Sequence, residues 1–183
     1  MKLKTALAST ALIVSTFSTV AAEKLPPGQV DFGAFAPGSS GKEFVEVNIT
    51  SSLISMACKF VEKEDADIAK VLGGLQSIRV NVIGLDDSNR TEIVERAQKV
   101  RKDLDGKGWD RIVTAQQQSQ DVSVYLKTRN KDTVEGLVVV VLDGKNEAVF
   151  VNVVGDIKPE QVSMLGEKFH IEPLKHLTHH DEK

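Results

Sequence analysis

All four histidines lie at the end of the chain: His170, His176, His179 and His180. On a helix, His176 and His180 would share a face and could chelate a transition metal. His179 is adjacent, and Asp181 and Glu182 offer oxygen ligands. A metal site also needs its ligands held by a surrounding layer of hydrogen bonds. Here Pro173 interrupts the segment, and Leu174 and Leu177 are its few apolar anchors. Residues 171–183 therefore read first as a polar, histidine-containing tail. Metal capture by His176, His179 and His180 is the alternative.

Two acidic loops are the other candidates. Asp156, after Gly155, could act as a ligand or a general base. Asp87 lies in a second acidic turn, Asp86-Asp87 with Asn89. The ordinary role of such residues is to shape a turn or cap a helix. The turn lacks the spaced oxygen ligands of a calcium loop. Gly73-Gly74 lacks the further glycines and the lysine of a phosphate-binding loop, and no stretch matches a nucleophile elbow. Cys58 lies in an apolar helical stripe and reads as a small core residue rather than a redox thiol. Trp109 and Tyr125 could form a ligand platform, but partial burial in a sheet is the better reading. Asp156 and Asp87 stand as candidate binding residues. No catalytic residue is assigned and no cofactor is implied, so an enzyme is the less favoured reading.

The elements that would position these residues centre on 133–161. Leu137 to Leu142 is apolar at every position and rich in stiff, β-branched valine, as in a strand covered on both faces. Asp143-Gly144-Lys145-Asn146 reads as a hairpin turn into a second strand, Ala148 to Val154. Upstream, Phe44 to Ile49 alternates as a strand, with Val45, Val47 and Ile49 on one face. Leu53, Ile54, Ala57, Cys58 and Val61 then share a helical face. A short helix over Ala66 to Leu72 and a strand over Ser77 to Leu85 follow. Ser88 or Asn89 starts the clearest helix, with Ile93, Ala97, Val100 and Leu104 inward and a mixed-charge outer face. Trp109 to Gln116 and Val122 to Lys127 are further strands. Val162, Leu165 and Phe169 give a last helix its apolar face. Strands that follow one another late in the chain pair antiparallel. The expected fold is α+β, one domain over 43–170, a mainly antiparallel sheet with helices packed on one face.

The N-terminus has its own pattern. Lys2 and Lys4 precede an apolar run from Ala6 to Phe17, and Val20-Ala21-Ala22 offers compact residues at a cleavage site. Residues 1–22 read as a secretory signal peptide. Residues 23–42, punctuated by Pro26-Pro27-Gly28 and Pro37-Gly38, read as a linker or N-terminal arm. Val30, Phe32 and Phe35 can pack on the domain's own surface or dock a partner. The mature chain is then exported, to the periplasm or the exterior, with no membrane span. The formal net charge is −3, and losing Lys2 and Lys4 makes the remainder more acidic. No basic face is present for nucleic acid. A single cysteine cannot form an intramolecular disulfide, so stability must come from the core.

Three stretches carry a family resemblance: Gly74-Leu75-Gln76-Ser77-Ile78-Arg79-Val80 entering a strand, Glu135-Gly136-Leu137-Val138-Val139, and Val151-Asn152-Val153-Val154-Gly155-Asp156-Ile157. With the exported N-terminus, they resemble the bacterial family called domain of unknown function 4252, over about Ser51 to Phe169. The resemblance implies an exported α+β domain and brings no established activity and no catalytic residue. The functional expectation is a non-catalytic exported domain that binds a protein or a cell-envelope component. Its alternatives are a hydrolase-like enzyme using the loop carboxylates, and metal capture by the tail.

Overall fold

The computed structural model describes residues 25–61, 66–117, 120–130, 133–144 and 146–158. The order is β1 (Phe44–Thr50), α1 (Ser51–Val61), α2 (Ala66–Gly74), β2 (Leu75–Gly84), α3 (Arg90–Asp105), β3 (Asp110–Gln117), β4 (Gln120–Asn130), β5 (Thr133–Asp143) and β6 (Glu147–Ile157). Each element falls where the residue pattern predicts one. The last expected helix and the histidine tail lie outside the described residues, as does the signal peptide.

The strands form one sheet in the order β1-β2-β6-β5-β4-β3, with every neighbouring pair antiparallel. The hairpin strands β5 and β6 sit in the middle, as an all-apolar run requires. Val139 pairs with Val124 on one side and Val151 on the other. The hairpin closes at Asp143 and Glu147, where the Asn146 amide donates to the Asp143 carbonyl at 3.1 Å.

Successive residues of β5 point to opposite faces and enter two separate cores. Val138, Val140 and Leu142 join Ile93, Ala97, Val100 and Leu104 of α3. Leu137 and Val139 join Ile54 of α1, with Cys58 and Leu72 packed alongside. The α+β class and the antiparallel sheet are as expected, but the helices divide between the two faces instead of sharing one. The cause is the two-sided strand: a sheet apolar on both faces must be covered on both. The same holds on β2, where Asn81 and Ile83, which share one face, are both buried.

The N-terminal arm shares the α3 face. Phe32 is buried, and Phe32 and Phe35 lie 5.5 and 5.0 Å from the Phe150 ring between centroids. Gly28 lets it run close to the sheet. Its φ of +80° suits glycine, and a Cβ there would sit 2.0 Å from the Glu135 carbonyl oxygen. The arm thus packs on its own domain.

Candidate functional site

The β2–α3 junction holds a carboxylate tied by several hydrogen bonds, and it is Asp86 rather than Asp87. Asp86 accepts hydrogen bonds from the Ser40 amide at 3.1 Å, the Ser88 amide at 2.8 Å and the Ser88 hydroxyl at 2.5 Å. Hydrogen bonds from Ser40, then from Ser88, hold its carboxyl far below the usual carboxylate range. Such a group is a poor base at neutral pH. Asn89 occupies the N-cap position, yet its side chain turns back to the strand end. Its Oδ1 accepts from the Asp86 amide and its Nδ2 donates to the Gly84 carbonyl, both at 2.9 Å. Asp87 itself is exposed.

Asp156 lies near the end of β6, where Arg129 bridges two carboxylates. The guanidinium contacts Glu135 at 2.7 Å and Asp156 at 3.1 Å. The hydrogen bond with Glu135, then the charge of Asp156, raises the Arg129 pKa. Asp156 is more than half exposed. The register puts Asp87 and Asp156 at opposite ends of the sheet. Gly84, just before the Asp87 turn, pairs with Glu147, whereas Leu75 pairs with Gly155. The ten-residue β2 between them separates the two carboxylates by roughly 30 Å. They do not form one site.

A third cluster surrounds Tyr125, under the C-terminal half of α3. Arg101, expected on a solvated helix face, is mostly buried and pairs with Asp121 of β4 at 2.6 Å. Arg111 pairs with Asp105, and its guanidinium lies 5.2 Å from the Tyr125 ring centre. Burial pushes the Tyr125 phenol up from its ordinary pKa. The Tyr125 hydroxyl and the Nε and Nη2 of Arg101 are buried. Two cations balance two anions around a phenol that stays protonated at neutral pH, so the phenol itself is neither nucleophile nor base there. Trp109 and Tyr125 are both buried, which removes them as an exposed ligand platform.

α1 differs from the rest of the described surface. Its inward side is Ile54, with Cys58 and Val61 partly covered. Leu53 and Ala57, expected on that side, are exposed. Leu53, Met56 and Phe60, spaced by three and four, form an outward apolar stripe with exposures of 50%, 54% and 73%. Singly exposed apolar side chains are ordinary, but three aligned large ones mark a contact surface. The spacing alone could have revealed this second stripe, because Met56 and Phe60 do not align with Ile54 and Cys58. Among the described residues no group of three or more His, Cys, Asp or Glu is placed to hold a metal, and no helix is long and apolar enough to cross a membrane. The metal candidates His176, His179 and His180 lie outside the described residues.

The six-stranded antiparallel sheet with helices on both faces defines an α+β domain, and α1 carries an apolar stripe on its described surface. The chain belongs to the family described as domain of unknown function 4252, whose model matches residues 39–165. Comparison with curated proteins and with solved structures finds no match.

Proposed function

We propose that the mature chain is an exported, non-catalytic domain that binds a protein or a component of the cell envelope. The observation that carries this reading is the outward stripe of Leu53, Met56 and Phe60 on α1. Exposed aromatic and sulfur-containing side chains are typical of the anchors at which partners gain affinity. The separation of Asp87 from Asp156 and the ion pair at Asp156 favour this reading over hydrolysis. The signal-peptide pattern of residues 1–22 supports an envelope or extracellular setting for the partner.

The test is crosslinking in intact cells with the native protein and a Met56→Ser, Phe60→Ser variant. Both side chains are exposed, so the variant should keep the native urea midpoint. The native chain should give a saturable crosslinked species that the variant loses. Equal crosslinking by both, or none by either, would count against the reading.

A further inference from the structure

The second face of the sheet is apolar across most of its width, yet the helices described over it stand toward one side. α1 and α2 make their main contacts with β1, β2 and β6. On β4 and β5 the same face carries Val122, Val124 and Leu126 beside Leu137, Val139 and Val141. Val124 and Val139 are nevertheless buried, at 0% and 3% exposure, while Val122, Leu126 and Val141 are only partly covered. An apolar face of this extent needs a covering layer.

We propose that residues 159–170 of this same chain dock along β4 and β5 and complete the second layer. The chain leaves β6 at Ile157, which is buried in the second core and pairs with Val134 at the start of β5. The segment therefore starts beside the surface it is to cover. Its apolar residues Val162, Leu165 and Phe169 recur at intervals of three and four, the spacing that one side of a helix would share. Twelve residues in that form span about 18 Å, enough to cross neighbouring strands at about 4.8 Å each. The family model also continues past Ile157 to residue 165, so the family pattern includes the first half of the segment. A tethered segment competes at high effective concentration against a second copy or another protein. With this face closed from within, the α1 stripe would remain, among the described residues, an apolar surface open to partners.

Disulfide trapping tests the placement. In a Cys58→Ser background, Val122→Cys is combined with Leu165→Cys; the control combines Leu165→Cys with Val47→Cys on the far edge strand. The Val122 pair should crosslink within one chain roughly tenfold or more faster than the control. Equal rates would overturn the proposal, and crosslinks formed only between chains would assign the face to a second copy. A Leu165→Glu, Phe169→Glu variant provides the second reading. It should bind several-fold more of a hydrophobic dye, or fail to fold; native dye binding and an unchanged urea midpoint would overturn the proposal.

Discussion

The Asn152 side chain holds Gly28 against the sheet across 124 positions of sequence. Its Nδ2 donates to the Gly28 carbonyl at 2.9 Å and to the Leu137 carbonyl at 3.2 Å, while its Oδ1 accepts from the Val30 amide at 2.9 Å. Asn152 is fully buried, so these bonds replace water rather than compete with it. The N-terminal arm is thereby tied to the central strands at the point where Gly28 meets Gly136. A Cβ on Gly136 would lie 2.6 Å from the Gly28 Cα, which is closer than packed atoms tolerate.

Asn152→Ala should therefore destabilise the fold by about 2–4 kcal/mol, because it strands buried backbone groups. The arm should loosen first. The measurements are the urea midpoint and hydrogen exchange at the Val30 amide. An unchanged midpoint with full Val30 protection would show that the arm is held by Phe32 and Phe35 alone.

Much of this architecture is legible in local pattern. Ile93, Ala97, Val100 and Leu104 stand out because their spacings of four, three and four put them on one helical face, and all four are buried. The hairpin at 143–147 follows from turn chemistry between two β-branched runs. The missed features depend on distant partners. The division of helices between two faces follows from the two-sided strand, but no local spacing states which helix takes which face. Arg101 looks like its charged neighbours until Asp121 arrives from β4. Asn152 had a faint signal, as a lone amide in the apolar run Val151-Asn152-Val153. Such a residue in a central strand must find hydrogen-bond partners, but the pattern does not name them. Asp87 lies in the β2–α3 turn as expected, whereas Asp156, expected in a loop after the strand, lies within β6, because that strand runs on to pair Ile157 with Val134; only the register reveals that the two sit at opposite sheet ends.

Asp86 should make stability depend on acid pH. Its folded pKa lies below the ordinary value of 3.8, through hydrogen bonds from Ser40 and Ser88. A depressed folded pKa means that the unfolded chain takes up the proton first. The stabilisation is then complete well above 3.8 and is lost as the pH falls through 3.8 toward the folded pKa. Asp86→Asn should melt below the native protein by a constant interval between about pH 7 and pH 5, and the interval should shrink below about pH 4. Melting curves of both proteins across that range are the check. An interval that stays constant into strong acid would assign the effect to shape rather than charge.

Val139 provides the sharpest test of the sheet. It is buried between Val124 and Val151, and its face looks toward Ile54 and Val153. Among the described residues every buried member of the second core around it is apolar, so none of them offers a carboxylate a cation to pair with. Val139→Asp should cost several kcal/mol, comparable with the roughly 5–15 kcal/mol that holds an ordinary domain folded. The variant should unfold, or aggregate through the β-prone hairpin it releases. Glu95→Ala on the exposed face of α3 is the matched control and should shift stability by no more than about 0.5 kcal/mol. Urea titration of the two variants beside the native protein separates the outcomes. A Val139→Asp protein with a near-native midpoint would mean that β5 is not the central strand, and the burial on both faces of the sheet would have to be reassigned with it.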